Sequence, residues 1–97
     1  MISVELNYEP PFNELTKKLK EEAQFETNIT LKELIEFLTD KYGEEFASLI
    51  WHKHQKGELS NLLSIIVNGH NFRDEKFLDK ILMDGDDLTF LYIYFGG

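Results

Sequence analysis

The sequence has no cysteine. That excludes a disulfide framework, a thiolate metal site and a cysteine nucleophile together. It also lacks an apolar run long enough to cross a bilayer, and Met1 passes straight into Ile2-Ser3-Val4 without a positively led leader. A cytoplasmic protein with no membrane partner is expected. Basic residues are few, ten Lys and Arg against eighteen Asp and Glu, for a net charge of −8. Generic nucleic-acid binding needs cations to displace counterions and is not expected. An acidic surface suits docking on a basic partner, because opposite charges raise association rates, and it also serves solubility alone. No P-loop, paired carboxylates in a cleft or nucleophile–base pair is visible, so catalysis by this chain is not expected.

What is present is enough for one core. The 97 residues predict a single domain over 1–97, and eight Phe within a 42% hydrophobic composition argue against disorder. The most informative stretch is Leu88-Thr89-Phe90-Leu91-Tyr92-Ile93-Tyr94-Phe95-Gly96-Gly97. Its eight strand formers belong in the middle of a sheet. Its two glycines have few conformational limits and can thread a narrow channel close to another backbone. A buried strand ending in a carboxylate on a flexible Gly-Gly leash suggests a C-terminus used in chemistry.

The remaining segments predict a frame for that strand. Ile2, Val4, Leu6 and Tyr8 alternate with polar residues as in a half-buried strand, which Pro10-Pro11 ends. Leu15, Leu19 and Ala23 recur every fourth residue, predicting a short helix within 13–23; Phe25, Thr27 and Ile29 then predict the second strand. Residues 30–42 carry the clearest helix signal. Thr30 and Glu33 form a capping box, Ile29 and Leu34 a staple, Leu31, Leu34, Ile35, Leu38 and Tyr42 one face, and Gly43 a stop. Phe46, Leu49 and Ile50 suit a helical turn, Trp51 a satellite core position and Lys56-Gly57 a turn. His52 and His54 could bind zinc or nickel together, but no third ligand stands nearby and Lys53 intervenes, so a solvated loop is expected and no metal.

Residues 62–67 predict a strand, Asn68-Gly69 a type I′ hairpin turn and His70-Asn71-Phe72 a short return strand. Phe77, Leu78, Ile81 and Leu82 suit a brief helical turn, and Asp84-Gly85-Asp86-Asp87 a turn into the last strand. That last strand is most easily placed centrally, beside the first and parallel to it. The predicted class is α+β: a β-grasp, ubiquitin-like mixed sheet of five strands with one main helix across one face.

On these residues the sequence resembles the ubiquitin-like sulfur carriers of the molybdopterin and thiamine pathways, the MoaD/ThiS type, and most of all the molybdopterin synthase small subunit. The motifs are Thr30-Leu31-Lys32-Glu33-Leu34, Ile65-Ile66-Val67-Asn68-Gly69, Asp84-Gly85-Asp86-Asp87-Leu88 and Gly96-Gly97. The resemblance implies that a ubiquitin-activating-type enzyme joins AMP to the Gly97 carboxylate, with Gly96 beside it, using MgATP that this chain does not itself bind. A sulfur donor protein then displaces AMP to leave a thiocarboxylate. The large synthase subunit, or another sulfur acceptor, takes the sulfur. The tail departs from the family pattern: Tyr92 and Ile93 stand where prolines are usual, and Phe95 where Ala or Ser is usual, which bears on which partner accepts it.

The family pattern also places Leu88 and Phe90 under the helix, and Leu91, Ile93 and Phe95 on the open sheet face. An apolar patch there implies a docking surface, the alternative being that residues 44–61 fold over it as core. Two other functions stay open: a ubiquitin-like modifier conjugated to lysines through Gly97, and a β-grasp interaction module whose glycines are incidental.

Overall fold

The computed structural model describes residues 1–52, 55–72 and 75–93, with backbone alone at 55 and 56. Strand β1 is Ile2–Tyr8, with Ile2, Val4, Leu6 and Tyr8 buried and Glu5 exposed. A short helix α1 (Phe12–Thr16), strands β2 (Lys20–Phe25) and β3 (Ile29–Thr30), and helices α2 (Leu31–Tyr42) and α3 (Glu44–Ile50) follow. Strands β4 (Trp51–His52) and β5 (Gln55–Leu59) pair with each other, and β6 (Leu63–Val67) with β7 (His70–Phe72). After a 3-10 turn at Glu75–Asp79 come β8 (Ile81–Leu82) and β9 (Asp87–Tyr92).

The main sheet runs β2-β1-β9-β6-β7. β9 lies in its centre, parallel to β1 with Leu88 opposite Leu6, and antiparallel to β6 with Phe90 opposite Ile65. A parallel neighbour demands a crossover, and α2 lies within it, so one sheet face is covered by helix. This is the β-grasp. No described helix is long and apolar enough to cross a membrane.

Helix α2 starts where its sequence says. The Thr30 hydroxyl accepts from the Glu33 amide at 3.1 Å, and the Glu33 carboxylate accepts from the Thr30 amide at 2.9 Å. Two otherwise orphaned N–H groups are thereby satisfied. Leu31, Leu34, Ile35 and Leu38 are buried against the sheet, and Ile29 packs on the same core. Gly43 ends the helix at φ +92°, a conformation costly for a side chain with a Cβ.

Five expectations need correction. The helix expected within 13–23 stops at Thr16, because Lys17 turns left-handed (φ +64°) and its amide caps the carbonyl of Asn13. Leu19 is consequently 66% exposed, and Ala23 is buried as a strand residue in β2, which occupies 20–25 and not 25–29. A four-residue apolar spacing fits both periods when the intervening residues are charged, and pairing with β1 decided between them. Gly57 lies inside β5 and not in a turn, and Trp51–His52 is paired backbone and not open loop. Ile81 and Leu82 form a strand pairing with Thr30 and Ile29 instead of extending the helical turn. Trp51 is buried in the core.

Glu21, on β2, carries more than its place among charged residues suggested. It accepts from the hydroxyls of Tyr8 (2.6 Å) and Tyr42 (2.7 Å), and from the ammonium groups of Lys41 (3.0 Å) and Lys18 (3.1 Å). One carboxylate thus ties β2 to β1 and to the end of α2. Burial alone would raise its pKa, but hydrogen bonds from Tyr8, Tyr42, Lys41 and Lys18 outweigh that and hold it down to about 2. Burial and then the bond to Glu21 push both tyrosines up, so the hydroxyls keep their protons. Glu21's ordinary value is 4.5, so its contribution is complete above that pH and drains away as the pH falls towards about 2. Glu21→Gln keeps the shape and removes the charge. Urea denaturation is expected to show a loss of about 2 kcal/mol at neutral pH, with wild type and variant converging near the acid end.

Candidate functional site

The last strand is paired along both edges and packed on its helix side. Leu88 and Phe90 are fully buried, and the Phe90 ring meets Tyr8, Phe12 and Phe46 at centroid distances of 6.1, 5.7 and 6.0 Å. Tyr92 closes the strand: its ring stands edge-on to Phe12 at 5.7 Å, and its hydroxyl donates to the Leu49 carbonyl at 2.6 Å. The Ile93 amide donates to the Leu62 carbonyl at 2.7 Å. The chain is therefore anchored through Ile93, four residues before Gly97.

The start of the strand is equally fixed. Asn68 bridges the β6–β7 hairpin to the turn before β9: its side-chain amide donates to buried Asp86 at 2.9 Å and accepts from the Asp87 amide at 2.9 Å. Asn68 and Gly69 both take positive φ, 51° and 86°, as the expected type I′ turn requires. Asp84 accepts from the Ser3 amide at 2.8 Å, tying the same turn to β1. The segments Val67-Asn68-Gly69 and Asp84-Gly85-Asp86-Asp87, distant in sequence, form one clamp.

Leu91 and Ile93 are half-buried. Leu91 shares the open face with Thr89, opposite Leu88 and Phe90, and faces Ser64 on β6. Ile66 continues the apolar end of that face across from Thr89. The other end is acidic, with Glu5 directly between Glu22 on β2 and Asp87 on β9. Like charges placed opposite one another weaken a sheet, so this row is not there for stability. Phe46 and Ile50 of α3 are fully buried, and Phe46 reaches Phe90 and Tyr42, so α3 serves the core on the helix side and not the open face. Phe95, Gly96 and Gly97 lie outside the described residues, as do Lys53 and His54; His52 is half-buried. Among the described residues no group of three or more His, Asp or Glu is arranged to hold a metal ion.

Sequence reasoning missed the Asn68–Asp86 bridge and the Glu21 hub. The first had a signal, since both motifs were visible and only their contact was not. The second had none, because a glutamate in a run of charged residues is indistinguishable from a solvated one until the fold brings two tyrosines to it.

Comparison with known proteins follows the same outline. Small archaeal modifier protein 1 from Methanosarcina acetivorans superposes with a TM-score of 0.77 at 24% identity, covering 100% of this chain and 98% of that one. A Pyrococcus furiosus protein named as molybdopterin converting factor, subunit 1, gives 0.75 at 21%, covering 97% and 100%. CysO of Mycobacterium tuberculosis gives 0.75 at 23%, covering 94% and 99%. These likenesses establish the fold. No curated protein matches the chain by sequence. The ThiS family model, however, matches residues 11–97. The chain belongs to the ThiS family of ubiquitin-like sulfur carriers.

Proposed function

We propose that the chain is a sulfur carrier whose Gly97 carboxylate is activated and loaded by a partner enzyme, and that it is a substrate of that enzyme and not a catalyst. The observation that carries the reading is the anchoring of β9 through Ile93 immediately before a segment ending in Gly96-Gly97, in a chain matched by the family over residues 11–97. A rigid strand fixes where the tail leaves the domain, and two glycines let a channel close around it. An ionised α-carboxylate, with a pKa of about 3.3–3.7, resists nucleophiles. It attacks the α-phosphorus of ATP on the partner, pyrophosphate leaves, and the acyl adenylate then carries a good leaving group. Sulfide (HS⁻) supplied by a donor protein attacks the acyl carbon and forms the new C–S bond as the C–O bond to AMP breaks, AMP leaving with the electron pair and the S–H proton passing to solvent. A thiocarboxylate remains.

Docking is assigned to the open face, through Leu91, Ile93 and Phe95, with the Glu22–Glu5–Asp87 row meeting basic side chains of the partner. The pathway that fits the motifs best is molybdopterin formation, with the large synthase subunit as acceptor. The second reading, a modifier, is favoured by the departure of Tyr92, Ile93 and Phe95 from the tail pattern of molybdopterin carriers.

Intact-mass measurement after incubation with an adenylating enzyme of the ubiquitin-activating type, MgATP and a sulfur donor tests the proposal. The expected result is the mass gain of one oxygen-to-sulfur exchange, localised to Gly97. Ladders on other proteins would support the modifier, and an unchanged mass would leave only an interaction module.

A further inference from the structure

Helices α1 and α3 enclose a cleft of about 300 Å³ lined by Pro11, Glu14, Leu15, Glu45, Ser48 and Leu49. Its chemistry is divided. Pro11, Leu15 and Leu49 are half-buried and apolar, while Glu14 and Glu45 are exposed and pair with no cation among the described residues. The Ser48 hydroxyl is turned onto the Glu45 carbonyl at 2.8 Å and leaves both carboxylates free. The cleft also sits at the root of the tail. The Leu49 carbonyl on its wall is the acceptor of the Tyr92 hydroxyl, and Phe12, next to Pro11, packs edge-on against the Tyr92 ring.

We infer that this cleft is a second docking site for the adenylating enzyme, receiving an apolar side chain flanked by lysine or arginine from that enzyme. The inference rests on the loading reading above and adds a surface to it. The adenylating enzyme is the occupant because loading is the step that carrier and modifier functions share, and because a clamp beside Tyr92 fixes the direction in which the tail departs. The apolar floor excludes a purely ionic ligand, and two free carboxylates on the rim select a cation on each side of the inserted group. A second copy of this chain is disfavoured by the net charge of −8 that each copy carries.

ATP–pyrophosphate exchange by the cognate adenylating enzyme, with the full-length chain as substrate, tests the assignment. The double variant Glu14→Lys/Glu45→Lys is expected to raise KM for the chain about tenfold or more while kcat changes less than about twofold, with the difference shrinking as salt is added. Glu14→Gln/Glu45→Gln should show a smaller rise in the same direction. The control is Glu26→Lys/Asp79→Lys, equal in charge change but outside the cleft and exposed; its KM should stay close to wild type. Thermal denaturation confirms that each variant is folded. Equal KM values for wild type and the Glu14/Glu45 variants overturn the inference. Equal increases in both double-lysine variants also overturn it, since net charge would then explain everything. Sedimentation showing that the wild type self-associates and Glu14→Lys/Glu45→Lys does not would assign the cleft to a second copy and overturn it as well. If the wild type supports no exchange at all, the loading reading itself fails, and this inference with it.

Discussion

Phe90→Ala is expected to cost about 3–5 kcal/mol, the largest stability loss of any single substitution argued from this structure. Phe90 has no exposed surface, lies on the central strand, and is the ring that Tyr8, Phe12 and Phe46 converge upon. Alanine there removes the transfer energy of a buried aromatic and leaves a cavity bounded by three rings that are themselves fixed. Tyr8 is held by Glu21, Phe12 by Tyr92 and Phe46 by Tyr42, so collapse into the space is hindered. A domain of this size has a total stability of roughly 5–15 kcal/mol, so the variant is expected near the limit of folding, with its melting temperature lower by about 20 °C. Urea denaturation reads the loss directly. Leu91→Ala, one residue further on the opposite face, is expected to cost less than about 1.5 kcal/mol because that side chain is only half-buried. Equal losses at the two positions would contradict a sheet with one covered face.

That pair of residues also shows which parts of the fold were legible in the sequence. Which side of β9 is buried was legible only through the family resemblance, because the strand carries apolar residues of both parities; the structure buries Leu88 and Phe90 on the helix side as that pattern implies. The capping box at Thr30 and Glu33 was legible because both partners are three residues apart, and the Asn68-Gly69 turn because its chemistry is local. What failed was local pattern with two solutions. Residues 13–23 present apolar side chains at spacings that suit a helix. Their fate was decided by a left-handed Lys17 and by pairing with β1, neither of which leaves a mark on periodicity. The candidate site divides in the same way. The tail glycines and the apolar end of the open face were readable as residue types, whereas the acidic row Glu22–Glu5–Asp87 required knowing that β1 lies between β2 and β9. The α1–α3 cleft required knowing that residues 11–15 and 45–49 meet.

Removing Gly97 is expected to abolish loading while leaving the domain as stable as before. Among the described residues the buried core ends at Phe90, with Tyr92 packed against it, and Gly97 has no side chain to bury, so denaturation should shift by no more than about 0.5 kcal/mol. The shortened chain still ends in a carboxylate, now on Gly96, so the chemistry is available in principle. What changes is reach. One residue spans about 3.3–3.6 Å, and because the strand is anchored through Ile93 the tail cannot be drawn out to compensate. A misplacement of 1 Å can cost about 10²-fold, so a carboxylate withdrawn by several times that distance should load more than about 10²-fold more slowly. Pyrophosphate exchange and intact mass measure the two halves of the reaction, and loading of the truncated chain at the wild-type rate would remove Gly97 from the site. Phe95 separates reach from fit. If the cognate channel is shaped for this chain's own tail, Phe95→Ala forfeits about 1.5–3 kcal/mol of aromatic burial and loads at least about tenfold less efficiently, with unchanged length. A channel built for the small residue usual in this family would instead take the alanine variant more readily than the wild type. The sign of that one change in kcat/KM therefore reports whether the partner is specific to this tail or shared with carriers of the ordinary pattern.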